Sequence, residues 1–190
     1  MTITSVQDEI WALRLQRGEK SAINGLVERH NDALLGYLYR MTGGDRALAE
    51  DLLQETFLRV LRNIHQYQEG RPFKAWLYAI ATNAARNHYT SAESRRTDSA
   101  ASDDLPDVPD EHQADEDLIH ADETQAVIAA LAKLPDHQRE VIVLYYYQSL
   151  SAAEIADALA VPVGTVKSRL SIGISRLRAA MVDAQKERDA

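Results

Sequence analysis

Cysteine is absent from the 190 residues, which excludes disulfides, thiol nucleophiles and zinc-thiolate centres. The six histidines stand apart with no i, i+4 pair, so neither a metal nor a cofactor is expected. No apolar run approaches the roughly 20 residues of a membrane span. Met1 to Ile10 also lacks the basic-then-apolar order of a signal peptide, and the chain is expected in the cytoplasm. Basic residues are outnumbered, 21 against 29 acidic, for a formal charge of −8. Taken whole, that charge argues against a nucleic-acid partner, but it is not evenly spread. Ser91 to Glu123 holds 12 acidic and 2 basic residues, leaving 17 acidic and 19 basic elsewhere. The parts that could meet nucleic acid are therefore close to neutral or mildly basic.

What is present is helical periodicity. A chain this long, 45 % hydrophobic, can form one large domain or two small ones, and the pattern favours two. From Ser151 to Met181 it predicts two helices joined by a tight turn: Ser151 can cap over Glu154, and Pro162-Val163-Gly164-Thr165 interrupts before the second helix. On that second helix Val166, Leu170, Gly173, Leu177 and Met181 share an inward face, leaving Lys167, Ser168, Ser171, Ile172 and Ser175 outward. Hydroxyls and one cation on a free helix face suit a DNA major groove, although an ordinary helical hairpin fits the same pattern.

Earlier in the chain, Ser5 to Gln16 predicts a helix with Val6, Ile10, Leu13 and Trp11 as its apolar positions, and Ser21 to Met41 a longer one closed by Gly43-Gly44. His30 lies on the apolar face of that second helix and reads as a satisfied core histidine. Asp45 caps a third helix whose buried stripe is Ala49, Leu53, Phe57, Val60, Ile64 and Tyr67. Asp51, Gln54, Glu55, Leu58 and Arg62 then face outward. Leu58 in that acidic surface is either a lone exposed leucine or the centre of a docking face. Gly70 and Pro72 force a loop, and Pro72 opens a fourth helix with Phe73, Trp76, Leu77, Ile80 and Ala84 inside. Lys74, Tyr78, Thr82, Arg86 and Tyr89 are read as outward, with Asn83 and Asn87 on a shoulder. Aromatics interleaved with cations and amides make a single-strand platform or simply a wet amphipathic face.

Between Thr97 and Asp117 both periodicities stop, and Leu105 and Val108 are the only sizeable apolar residues. Its roughly 21 residues would span about 70 Å extended and about 25 Å as a coil. Helical spacing returns with Val127, Ile128, Leu131 and Leu134. Pro135 opens a further helix through VIVLYYY, a run that is also strand-prone. The fold class is all-α: two small helical domains, 1–96 and 118–190, joined by an acidic flexible linker, 97–117.

With AEDLLQETFLRVL, FKAWLYAIATNAARNHY and LPDHQREVIVLYYYQSLSAAEIADALAVPVGTVKSRL in this order, the chain resembles the extracytoplasmic-function sigma factors, the smallest bacterial sigma class, which direct RNA polymerase to particular promoters. No segment is left for the middle domain or N-terminal extension of housekeeping sigma factors. The resemblance implies that Asp51, Gln54, Glu55 and Leu58, with Arg62, meet the clamp coiled coil of the polymerase's largest subunit. It implies that Gln66 to Pro72, including Arg71, captures an extruded base of the minus-ten element. Asn83, Arg86 and Asn87 would grip that strand beside Lys74 and Tyr78. Lys167, Ser168, Ser171 and Ile172, with Thr165 and Arg169, would read the minus-thirty-five element. The linker resembles a segment that threads the RNA exit path, where a polyanion is accepted. Core polymerase including its flap, promoter DNA and an anti-sigma factor are the implied partners, with no catalytic residue.

One departure stands out. Many relatives carry arginines just beyond the SR of the recognition helix, where this chain has Ser171-Ile172-Gly173-Ile174, so fewer phosphate contacts are expected. The competing reading is a stand-alone helix-turn-helix regulator with an N-terminal dimerisation or sensing domain. A four-helix metal hydrolase is disfavoured because the facing Glu and Glu-x-x-His sets are missing.

Overall fold

Eight α-helices follow from the periodicities in a computed structural model that describes residues 3–98 and 117–188. In order they are α1 (Ile3–Gln16), α2 (Ala22–Met41), α3 (Arg46–Asn63), α4 (Phe73–Asp98), α5 (Asp117–Ala132), α6 (Asp136–Ile142), α7 (Ala152–Leu159) and α8 (Val163–Arg188). A 3₁₀ turn, Ile64–Gln66, extends α3, and a π-helical turn, Val143–Tyr147, extends α6. No strand occurs among the described residues, so VIVLYYY follows its helical neighbours rather than its own β propensity. Most of the expected linker, including Leu105 and Val108, lies outside the described residues.

The predicted stops and starts form for the stated reasons. Asp45 accepts a hydrogen bond from the Leu48 backbone N–H and caps α3. Gly43 and Gly44 end α2 with φ of 70° and 96°, a backbone region that suits glycine. In the N-terminal half α1 to α4 pack around Leu26, Leu34, Tyr37, Val60, Phe73 and Leu77. In the C-terminal half α5 to α8 close over Leu131, Ile142, Leu144, Ile155 and Val166. These two sets belong to one contiguous buried cluster, because α4 lies along α7 while α2 meets α5 and the π-turn.

The first helix corrects the sequence reading. Val6 and Ile10 are exposed, and α1 buries Asp8, Ala12 and Leu15 instead. Asp8 turns inward because α2 supplies its partners: Arg29 donates to Oδ1 at 3.1 Å, and His30 Nε2 lies 3.1 Å from Oδ2. His30 is thus buried with Nε2 beside a carboxylate, but that nitrogen makes no hydrogen bond of good geometry among the described residues, so the expected satisfied core histidine is only partly realised. The Trp11 indole rests on the bare backbone of Gly25, with the Arg29 guanidinium 4.7 Å from the ring centroid. A Cβ at Gly25 would come within 2.5 Å of the indole. Gly25→Ala is therefore expected to lever α1 off α2 and cost about 1–3 kcal/mol, lowering Tm by several degrees in a thermal scan.

Candidate functional site

The outward face of α3 forms as its stripe predicts. Ala49, Leu53, Val60, Ile64 and Tyr67 are buried and Phe57 is half-buried, while Asp51, Gln54, Leu58 and Arg62 are exposed. Leu58 is 46 % exposed and Leu61, which the stripe argument overlooked, 39 %. Two adjacent leucines ringed by Asp51, Gln54, Glu55 and Arg62 make an apolar centre with a charged rim. Glu55 is held by Arg59, whose Nε donates at 2.7 Å and keeps the carboxyl below its usual range. The signal for Leu61 was its position three residues beyond Leu58, on the same helical flank.

Beside this face, α3 and α4 enclose an open cavity of about 210 Å³ lined by Arg59, Asn63, Gln66, Trp76, Ile80 and Asn83. Tyr67, Phe73 and Trp76 pack pairwise in edge-on and tilted contacts with centroids 5.5–5.7 Å apart, which fixes the Trp76 ring that lines the cavity. The Tyr67 hydroxyl donates to the Arg71 carbonyl at 2.6 Å and closes the loop that precedes α4, where Gly70 takes φ of 85°. Burial pushes the Tyr67 phenol up to about 12, so that donor stays protonated. Gln66 and Asn83, far apart in sequence, thus meet at one cavity. Asn87 is exposed one turn further along α4.

The rest of the predicted α4 face departs from expectation. Tyr78 and Thr82 are buried, and Lys74 and Arg86 are half-buried. Periodicity assumed one neighbour for α4, whereas the helix is sandwiched between the N-terminal core and the C-terminal half. Thr82 Oγ1 lies 2.7 Å from the Tyr37 hydroxyl, and the Tyr78 hydroxyl donates to Gln148 Oε1. The Lys74 ammonium donates to the Gln148 carbonyl at 2.5 Å, and desolvation lowers its pKa. Arg86 is bound by Glu140, a hydrogen bond that raises the guanidinium pKa further.

In the C-terminal half the helix-turn-helix is built as its caps require. The Ser151 hydroxyl oxygen accepts from the Glu154 N–H, and Glu154 Oε2 accepts from the Ser151 N–H at 2.8 Å, a reciprocal box. Ala160 ends α7 in the left-handed region with φ of 53°. The second helix starts at Val163, so Val163, Gly164 and Thr165 are already helical rather than part of the interruption, consistent with Pro162 immediately before a first turn. Val166 and Gly173 are buried and Leu170 and Leu177 half-buried, whereas Met181, expected inside, is 41 % exposed. At Gly173 α8 approaches α6 so closely that a Cβ would lie 2.8 Å from Ile142 Cδ1. Lys167, Ser168, Ser171 and Ile172 are exposed along one face, with Thr165 and Arg169 partly covered. Among the described residues no group of histidines, cysteines or carboxylates could hold a metal, and no helix is long and apolar enough to cross a membrane.

Two family models match the chain. Residues 26–95 match the sigma-70 region 2 family, and residues 130–179 match sigma-70 region 4. The chain is 33 % identical over 178 residues to the ECF RNA polymerase sigma factor SigW of Bacillus subtilis, covering 90 % of this chain and 94 % of that one. It is 36 % identical over 162 residues to the ECF sigma factor SigL of Mycobacterium tuberculosis, covering 84 % and 89 %. The solved structure of CnrH in complex with the cytosolic domain of CnrY superposes with a TM-score of 0.69 at 28 % identity, covering 94 % of this chain and 98 % of that one. The chain belongs to the extracytoplasmic-function sigma factors, alternative sigma subunits that direct transcription initiation.

Proposed function

We propose that the two halves divide the work of initiation: α3 holds core polymerase, α4 and its preceding loop open and grip the minus-ten strand, and α8 reads the upstream duplex. The observation that carries this reading is the α3 face, where Leu58 and Leu61 lie exposed within a charged rim on a helix whose opposite side packs into the core. A monomeric fold gains nothing from two neighbouring leucines in water, and a docking partner does. The clamp coiled coil of the polymerase's largest subunit is the partner proposed for Asp51, Gln54, Glu55, Leu58, Leu61 and Arg62. The cavity between α3 and α4 suits an extruded base: Trp76 and Ile80 supply apolar surface, and Gln66 and Asn83 supply amide edges. Such a subunit acts by binding and carries no reaction of its own, working where polymerase works, in the cytoplasm.

On the first half of the outward face of α8, Lys167, Ser168, Ser171, Ile172 and Ser175 are exposed, with the Arg176 and Arg178 side chains exposed further along the helix. Ile172 suits a thymine methyl, the serines suit either base edges or phosphate, and Lys167 suits phosphate. Lys167→Ala is expected to weaken holoenzyme binding to duplex promoter and to lower the slope of log K against log salt by about 0.9, one phosphate contact. A filter-binding salt titration reads both. The same variant should initiate normally from a template whose minus-ten region is already melted. An anti-sigma partner belongs to this reading, and the similar CnrH was solved in complex with another protein, the cytosolic domain of CnrY.

The experiment that tests the function is sedimentation of the purified chain with core polymerase in the absence of DNA. A one-to-one complex is expected. A chain that ignored polymerase yet bound specific duplex DNA alone would support the stand-alone regulator instead.

A further inference from the structure

Helix α3 and the 3₁₀ turn that extends it end in backbone carbonyls that no further helical turn satisfies. A side chain from the start of the chain meets them. Gln16, the last residue of α1, donates from Nε2 to the carbonyls of Ile64 and His65, at 3.3 Å each, and to that of Tyr67 at 3.1 Å. Only the nitrogen of an amide can face three oxygens, and its two hydrogens are divided among them. Helix α1 is in turn fixed on α2 by the Asp8–Arg29 pair and by Trp11 against Gly25.

The turn that Gln16 fastens carries two residues on which the cavity between α3 and α4 depends. Gln66 lies between the clasped carbonyls and lines the cavity. Tyr67 packs its ring on Trp76, 5.5 Å between centroids, while its hydroxyl holds the Arg71 carbonyl across the loop before α4. Within the turn the Gln66 amide has only long contacts, 3.4 Å to Asn63 Oδ1 and 3.5 Å to His65 Nε2. Gln16 is not part of the cavity lining. We propose that Gln16 is the positioning residue for minus-ten base capture, holding the 64–67 backbone on α1 so that Gln66 and Trp76 meet the extruded base in one register. Hydrogen bonds weaken steeply as donor and acceptor swing out of line, so a loosened turn costs base discrimination before it costs affinity. Gln16 thereby sets base choice without touching the base. This proposal rests on the role given above to the cavity.

The test uses holoenzyme reconstituted from core polymerase and the full chain, on duplex promoters carrying each of the four bases in turn at every minus-ten position. Open complexes are read by permanganate reactivity. Gln16→Ala should lower the preference for the best base at the captured position by about fivefold, the worth of one hydrogen bond, with Tm nearly unchanged. Gln16→Glu keeps the shape but offers the carbonyls no donor, and should lose at least as much. Gln16→Lys restores a donor and should recover most of the preference; a ratio between bases is blind to the general DNA affinity that a new cation adds. In a Gln66→Ala background, where the positioned amide is already gone, Gln16→Ala should change the preference little further. A wild-type preference in Gln16→Ala and Gln16→Glu, even with fewer open complexes on all four bases, overturns the positioning role. So does a loss that lysine does not repair, or one fully additive with Gln66→Ala. The Gln66→Ala variant separates this role from the reading beneath it. If it keeps the wild-type preference, the cavity is not the capture site and both fall; if it loses the preference while the Gln16 variants keep it, the positioning role alone falls.

Discussion

Asp51→Lys combined with Leu58→Arg is expected to remove holoenzyme assembly while leaving the fold intact. Both side chains are exposed on α3, and among the described residues neither has a side-chain hydrogen bond or ion pair to lose. Surface changes of that kind stay within about 0.5 kcal/mol of wild-type stability, so Tm should hardly move. At a docking face the same two changes put a cation where the rim is acidic and another where the centre is apolar. Losing about 1.4 kcal/mol at each position would weaken polymerase binding by roughly 100-fold. Glu55 is a poorer choice for the experiment, because its bond to Arg59 would be broken as well. A double variant that assembled normally in a gel-shift with core polymerase would remove the α3 face from the account.

The second large effect concerns strand opening. Gln66→Ala with Asn83→Ala removes two of the three amide side chains that line the cavity between α3 and α4, leaving Asn63, and does so without touching Arg86 or Tyr78. Contacts to one captured base are worth about 1–3 kcal/mol, so open complexes should fall by roughly one to two powers of ten. The upstream half is untouched, and protection of the minus-thirty-five region by holoenzyme should persist. Permanganate reactivity of unpaired thymines in the minus-ten region should disappear. Normal reactivity in this variant would make the cavity an unused surface feature. Arg86→Ala is unsuited to the purpose, since it also frees the buried Glu140 carboxylate.

The helices, their caps and the third-helix stripe were legible because each rests on local chemistry. Asp45 and Ser151 announce their helices by side chains that reach three residues ahead. The stripe from Ala49 to Tyr67 needs only a period. What could not be read is where a helix has neighbours on two sides. Tyr78 and Thr82 looked like a wet face because polarity was taken as exposure, and both are buried as hydrogen-bonded pairs. Val6 and Ile10 looked buried for the converse reason, since Asp8 is brought inward by residues 21 and 22 positions later. Arg86 and Glu140, 54 residues apart, leave no local trace of each other. Met181 follows the inward period of α8 to an open groove that it lines with Ile142, Tyr146 and Tyr147, and the groove leaves it exposed.

The recognition helix is the part of the account with least room for error, because its direct readout is small. One exposed lysine and a row of hydroxyls on the turns of α8 from Lys167 to Ser175 give modest affinity, so promoter choice should require both elements at once. Upstream duplex alone should be bound weakly by the free chain, and tightly only by holoenzyme.

The most direct test of the central claim is run-off transcription by holoenzyme reconstituted from core polymerase and the purified chain on a library of promoter fragments. The account predicts initiation from a small subset of fragments that share two sequence blocks at fixed spacing, with core polymerase alone silent on all of them. Transcription no greater than that of core polymerase, or start sites with no shared upstream blocks, would contradict it.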